Sequence, residues 1–251
     1  MGSLSLLHGL AGKSLVMLAS DVNIGVDGLL KYKLFGQTVW LTTTHVGLIV
    51  ILLFFTVFAI CANRAIKKAD PFEKPSGFLN VVELMVEKID GMVIANMGAK
   101  DGMQFANYIG TLFAFILVCN LSGLFGLRPP TADYGCTLSL ALITFFLIHI
   151  TGFRYQGVGH VTGLFKPLLL SPINIIGEIA TPISMSLRLF GNVLSGTVLM
   201  ALIYGLLPKV ILWFWPGALH VYFDVFSGCI QTYVFCMLTM VYISNNFNEE
   251  E

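Results

Sequence analysis

Long apolar windows without charge dominate the chain. The first lies between Lys33 and Arg64 and contains HVGLIVILLFFTVFAICAN, the second covers 102–127, and the third lies between Asp133 and Arg154. Each is long enough to cross about 30 Å of hydrocarbon at a rise of about 1.5 Å per residue. The pattern therefore predicts three membrane-spanning helices in the first two thirds of the chain.

The last third is also apolar but holds isolated charges. Its pattern predicts two long helices, 168–206 and 210–244, joined near Pro208. Because each exceeds the length that an upright crossing needs, we expect both helices to tilt strongly. The predicted fold is an all-α membrane protein with five crossings.

One further helix is predicted to be amphipathic. Segment 78–97 reads FLNVVELMVEKIDGMVIANM, and its polar residues recur every three or four positions. They are Asn80, Glu83, Glu87 and Asp90. Such a helix is expected to lie at the membrane surface.

Composition supports a membrane protein and excludes other classes. Apolar residues make up 56% of the 251 residues, charged residues 11%, and the mean hydropathy is +0.83. A soluble domain usually carries about a quarter of charged residues. The net charge is zero, which gives no sign of a nucleic-acid partner. We expect one membrane domain over 1–251: an outside segment (1–40), three spans with the interfacial helix (41–166), and a long helical hairpin (167–245).

Loop charges predict the orientation. Basic residues follow the first and third predicted spans: Arg64, Lys67, Lys68, Lys74, Arg154 and Lys166. The positive-inside rule places these loops in the cytoplasm. The N-terminus is then outside and the acidic C-terminal tail is cytoplasmic.

The sequence predicts no metal or cofactor. Five cysteines lie in or beside apolar runs, without a CxxC motif or a histidine at ligand spacing, so we interpret them as inert buried thiols. His149 and His160 are interpreted as packed or interfacial residues.

Arg188 lies near the centre of a helix that is expected to be in lipid. A charge there costs several kcal/mol and needs a reason. Polar residues on the same helix share its face, at spacings of three, seven, four and three. They are Glu178, Thr181, Arg188, Asn192 and Ser195.

The final helix carries a matching polar seam. His220, Asp224, Ser227 and Gln231 follow at spacings of four, three and four. Polar side chains persist in hydrocarbon when they face one another, water or a partner. Two such seams predict an ion-conducting or transporting membrane protein.

Structural roles would explain the same residues. Arg188 could close a buried ion pair with Glu178 or Asp224. Asp224 could instead be an ordinary interfacial residue. Helix association would account for the remaining polar and small residues, which are Asn192, Ser195, Gln231, Gly191 and Gly196. Spacing alone leaves these alternatives open.

Three stretches resemble one known family in order and spacing. EIATPISMSLRLFGNVLSG (178–196) resembles the signature of subunit a of F-type rotary ATP synthases. RPPTADYGCTLSLAL (128–142) is similar to the family's loop and following helix, and QTYVFCMLTMVYIS (231–244) to its last helix. The resemblance covers 102–244 well and the first hundred residues only in layout.

The resemblance implies a function and partners. The chain would be a stator subunit that supplies two half-channels for H⁺ or Na⁺, not an enzyme on its own and without bound nucleotide. Its expected partners are the c-ring subunits, the peripheral-stalk subunit b, the rest of the ATP synthase complex and the bilayer. The expected location is the bacterial plasma membrane.

The resemblance also implies roles for individual residues. Arg188 falls on the family's essential arginine, which faces the c-ring carboxylates. Asn192 and Gln231 match its polar neighbours, whereas Asp224 and Glu178 match ionisable positions. Ser195 and His220 are expected along the same path.

Two further positions bear on the family pattern. Asp133 matches an aspartate of the family's outer loop. Thr197 stands where many members carry glutamate or histidine, so it cannot relay a proton by titrating.

Two other functions fit the sequence less well. A secondary transporter using Arg188 for an anionic substrate usually shows repeated halves, and none are visible here. An intramembrane protease is disfavoured because the HExxH and GxSxG motifs are absent.

Overall fold

The computed structural model describes residues 28–34, 37–69, 77–125, 127–164, 171–206 and 215–247. The predicted helix junction at Pro208 and the end of the acidic tail lie outside these ranges, as do Lys74 and Lys166. A short hairpin opens the described chain: β1 (Gly28–Leu34) pairs antiparallel with β2 (Gln37–Thr42), with Lys31 opposite Trp40. No strand was predicted here, and most of the hairpin lies in the expected outside segment (1–40).

Helices make up the rest of the described chain. The α-helices are α1 (Thr43–Lys68), α2 (Gly77–Met97), α3 (Ala99–Gly102), α4 (Ala106–Leu121), α5 (Tyr134–Gln156), α6 (Gly159–Leu164), α7 (Ser171–Leu206), α8 (Trp215–His220) and α9 (Gly228–Ser244). A π-helical segment, Val221–Ser227, joins α8 to α9. Short 3-10 turns flank α4 and precede α5.

Five helical stretches are long and apolar enough to cross a membrane. They are Thr43–Lys68, Ala99–Phe125, Tyr134–Gln156, Ser171–Ile203 and Val221–Ser244. The predicted all-α membrane class with five crossings is confirmed. The predicted amphipathic segment is a helix, α2, and its location at the membrane surface stays a prediction.

Local residues explain where the helices begin and end. Asp133 caps α5, because its Oδ1 accepts a hydrogen bond from the Gly135 amide at 3.0 Å. This capping role accounts for the aspartate of the predicted outer loop. Gly157 ends the same helix with a φ of 57°, a conformation that glycine adopts without steric cost.

The last helix forms the centre of the bundle. Phe235, Met240 and Ile243 of α9 are fully buried, and α9 contacts both α4 and α2. By contrast, α1 exposes most of its apolar side chains. In a membrane protein such a surface faces lipid or partner chains.

Helix α5 contacts α7 and carries a buried stripe of small and hydroxyl residues. Buried positions on α5 recur at four and three residues: Thr137, Ala141, Thr144, Ile148 and Thr151. The Thr144 hydroxyl lies 2.9 Å from the Tyr108 hydroxyl, and the Thr151 hydroxyl donates to the Leu147 carbonyl at 2.8 Å. Small, satisfied polar residues allow helices to approach closely in lipid. The contact between α5 and α7 positions the helix that carries Arg188.

Candidate functional site

Arg188 lies midway along α7 and faces outward. Its neighbour Leu189 is fully buried and Met185 is 3% exposed, so these two side chains anchor the opposite face of the helix. The Arg188 side chain is exposed and makes no hydrogen bond or ion pair with any described residue. About 26 Å of helix precedes Arg188 and a similar length follows it. A guanidinium held there can receive an anion from another chain.

The other polar residues on the Arg188 face of α7 differ in whether their side chains bond within the helix. The Thr181 hydroxyl donates to the Gly177 carbonyl at 3.1 Å, and the Ser195 hydroxyl donates to the Asn192 carbonyl at 2.9 Å. These bonds stay within the helix. The other two polar residues of this face, Glu178 and Asn192, are half-buried.

Thr197 is also turned toward its own helix. Its hydroxyl donates to the Leu194 carbonyl at 2.8 Å. The one proton of the hydroxyl is therefore used within the helix.

Asp224 is held in a narrow polar site. Its Oδ2 lies 2.6 Å from Nδ1 of His220, and 19% of its side chain is exposed. Gly123 packs against the carboxyl group: a methyl group added at Gly123 would lie 3.3 Å from Cγ of Asp224. Asp224 is therefore not a freely solvated side chain within the described chain. It belongs to the π-helical segment, where a wide turn is frequently associated with a functional site.

The two polar seams meet at one hydrogen bond. The Ser227 hydroxyl donates to Oδ1 of Asn192 at 3.0 Å. Gly196 lies four residues after Asn192 on α7, and Phe223 lies four residues before Ser227. A methyl group added at Gly196 would lie 3.6 Å from Cβ of Phe223. The two contacts run in opposite directions along the two helices, so α7 and the last helix are antiparallel.

This register orders the polar groups along the bundle. It places Gln231 level with Arg188 and Asp224 level with Ser195. Glu178 lies ten residues before Arg188, about 15 Å along α7, whereas Asp224 lies about 10 Å away in the other direction. Arg188 is thus positioned between two carboxylates.

Gln231 and Asn192 do not contact Arg188 through a hydrogen bond within the described chain. Gln231 is 7% exposed, and its Nε2 has no hydrogen-bond partner among the described residues. An unpaired buried amide costs about 1–3 kcal/mol. The residue is therefore not explained by helix association alone.

The ion pairs that sequence left open are not formed within the described ranges. Arg188 pairs with neither Glu178 nor Asp224; Asp224 pairs with His220, and Glu178 lies beside His149 and His160. This arrangement removes the structural explanation for Arg188 and leaves its charge available to a partner.

Comparisons with known proteins identify the family. The family model for the ATP synthase A chain matches residues 44–244. The chain belongs to this family. The match includes the first span, which the sequence resemblance covered only in layout.

Curated relatives of this ATP synthase A chain family member cover most of the chain. It is 34% identical over 243 residues to the ATP synthase subunit a of Staphylococcus saprophyticus, covering 89% of this chain and 98% of the relative. It is 36% identical over 248 residues to that of Limosilactobacillus reuteri, covering 90% and 100%.

A third relative carries an ion in its name. The chain is 38% identical over 197 residues to the sodium ion specific ATP synthase subunit a of Propionigenium modestum. That alignment covers 71% of this chain and 65% of the relative.

The structure adds polar residues of this family member that sequence reasoning did not select. Asn120 is 3% exposed; its Nδ2 donates to the Gly228 carbonyl at 3.1 Å and to the Thr232 hydroxyl at 3.3 Å, while its Oδ1 accepts from the Thr131 hydroxyl at 2.8 Å. The network ties α4 to the start of α9, next to the segment that carries Asp224. An asparagine in the middle of an apolar window was the signal available in the sequence.

Proposed function

We propose that this chain is the ion-translocating stator subunit in the membrane sector of a rotary ATP synthase. It would lead H⁺ or Na⁺ to and from the carboxylates of a c ring, and so couple ion flow to rotation and ATP synthesis. The observation that supports this most directly is Arg188: exposed, at the middle of a spanning helix, and without a counter-charge in the described chain. The names of the relatives, ATP synthase subunit a, agree with this role.

The charge of Arg188 supplies the coupling step. A c-ring carboxylate that arrives in front of a guanidinium is stabilised as the anion, so it releases its proton or sodium ion. Arginine keeps its charge at any accessible pH. The same fixed charge opposes direct passage of cations between the two sides, and ions must travel with the ring.

The two carboxylates on either side of Arg188 support two half-channels. The His220–Asp224 pair lies toward one end of the bundle and Glu178 toward the other. With the N-terminus outside, as loop charges predict, Asp224 serves the outer half-channel and Glu178 the cytoplasmic one. Asn192 and Gln231 line the region between them, level with or next to Arg188; Ser195 lies level with Asp224.

The face of α7 that carries Arg188 suits a ring of helices. Leu187, Gly191 and Ser195 are exposed beside Arg188, and a methyl group added at Gly191 would meet no described atom within 4 Å. Small residues let a neighbouring helix approach closely. The π-helical segment and α9 also expose apolar residues, such as Phe226 and Ile230.

The remaining partners follow from the family. We expect the chain to bind the peripheral-stalk subunit b and to lie in a bacterial plasma membrane with a cytoplasmic C-terminus. Formation of ATP would take place in other subunits of the complex.

Substitution of Arg188 tests the proposal. In the assembled complex, Arg188→Ala should abolish ATP synthesis driven by an ion gradient in membrane vesicles, while ATP hydrolysis by the detached soluble head continues. Arg188→Lys should also fail or nearly fail, because an ammonium is a point charge that loses its proton more readily.

The matched control is Arg64→Ala, which removes an exposed arginine near the end of α1. It should leave synthesis close to the wild-type rate. Sustained ion-driven synthesis by Arg188→Ala would refute the proposed role.

A further inference from the structure

Three potential metal ligands converge beside α7. His149 of α5, His160 of α6 and Glu178 of α7 each offer one ligand atom, and these atoms all lie within 4.8 Å of one another. Nδ1 of His149 and Nε2 of His160 are 3.0 Å apart. The three residues are half-buried and come from three helices, so the tertiary fold brings them together.

The surrounding residues hold both imidazole rings in place. The ring centre of Phe145 lies 4.2 Å from that of His149, and the ring centre of Phe153 lies 5.6 Å from that of His160. Gly152 leaves room for the second imidazole: a methyl group added there would lie 2.5 Å from Cε1 of His160. The His160 ring therefore occupies a notch in α5 that only glycine provides.

We propose that His149, His160 and Glu178 form a binding site for Zn²⁺. Two imidazole nitrogens and one carboxylate oxygen are an established type of ligand set for this ion, which takes a water or other ligand at its fourth position. Bound at about 2.0–2.1 Å, neighbouring ligand atoms of a tetrahedral ion lie about 3.3 Å apart. The His149–His160 separation is close to this value, and Glu178 has to approach by at most about 1.5 Å.

The charge of the site agrees with a divalent cation. Two neutral imidazoles and one carboxylate carry a charge of −1, so a divalent ion leaves the site with a single positive charge. Since both ring nitrogens need a free lone pair to bind the metal, the ring that donates in the His149–His160 hydrogen bond has to bind as its other tautomer, with its proton on the second ring nitrogen.

Metal at this site would affect the ion path. Glu178 is the carboxylate that the proposed function assigns to the cytoplasmic half-channel, and a bound Zn²⁺ would occupy it. The expected inhibition of ion-driven ATP synthesis by Zn²⁺ rests on the proposed function, whereas the zinc site itself does not.

The test measures Zn²⁺ bound to the full chain, purified in detergent without a histidine tag. Equilibrium dialysis with radioactive zinc should give one tightly bound ion per chain, and X-ray absorption should give nitrogen and oxygen ligands including two imidazoles. His160→Gln should lose this ion. Gly152→Ala should lose it too, although glycine is not a ligand, because the added methyl group displaces the His160 ring.

The matched control is His45→Gln. His45 is exposed and bonds to Thr42 at the start of α1, so this variant should keep the bound ion. Absence of zinc from the wild-type chain, or its full retention by His160→Gln, would overturn the site.

A second measurement separates the site from the proposed function. In the reconstituted complex, Zn²⁺ should slow ion-driven ATP synthesis by the wild type more than by His160→Gln. Zinc that binds the chain and leaves wild-type synthesis unchanged would support the site and contradict the assignment of Glu178 to the ion path.

Discussion

Asn120→Ala removes the buried network that ties α4 to α9. The wild-type amide makes three hydrogen bonds, to Gly228, Thr131 and Thr232, at 2.8–3.3 Å. Hydrogen bonds between membrane helices average about 0.6 kcal/mol, so three contribute about 2 kcal/mol. Thr131 is fully buried, and the loss of its acceptor adds about 1 kcal/mol. We expect a destabilisation of about 3 kcal/mol.

The assay is thermal unfolding of the full chain in detergent, followed by circular dichroism. About 3 kcal/mol should lower the midpoint by roughly 6–12 °C for a chain of this size. Asn107→Ala is the matched control, because Asn107 lies on the same helix and is exposed. Its expected change is within about 0.5 kcal/mol.

A double-mutant cycle with Thr131→Val tests whether the loss comes from the network. Because the Thr131 hydroxyl donates to Asn120, the double variant should lose less unfolding free energy than the sum of the losses in the two single variants. Strict additivity, or a midpoint for Asn120→Ala equal to that of Asn107→Ala, would refute the reasoning.

Two further predictions follow from close contacts. Asp224→Asn keeps a hydrogen-bonding group beside His220 but removes the titratable carboxyl, so ion-driven ATP synthesis should slow. The control Glu83→Gln changes an exposed acid on α2. Equal rates of synthesis in the two variants would place Asp224 outside the ion path. Gly102→Ala puts a methyl group 2.8 Å from Cβ of Met97, and the expected cost is about 1–3 kcal/mol in thermal unfolding. The control is Gly77→Ala, whose added methyl group meets nothing within 4 Å, and its stability should be nearly unchanged. An unchanged stability of Gly102→Ala would contradict the close packing of Gly102 on Met97.

Much of the fold was predictable because membrane helices carry their own signal. Each span must satisfy its backbone within one helix and present apolar side chains to lipid, so windows of composition locate it without knowledge of its neighbours. The hairpin at the start of the described chain was missed. Lysines alternate there with apolar residues, as in GLLKYKL, but a two-stranded segment is short and its signal is weak.

The π-helical segment was not predicted either. The spacing of His220, Asp224 and Ser227 fits an ordinary α-helix, and the contacts of this segment with its neighbours are not visible in that spacing. One of these is the close approach of Asp224 to Gly123, which no local pattern contains.

Residue order alone was enough to specify the five spans, the two polar seams and the unusual charge of Arg188. These features depend on periodicity within one helix, which the sequence encodes directly. Three features required the packed bundle: Arg188 stays free of Glu178 and Asp224 within the described chain, Asn192 meets Ser227, and His149 and His160 reach Glu178. Lateral contacts between helices depend on how their faces pack, and residues distant in sequence become neighbours only after that packing is formed.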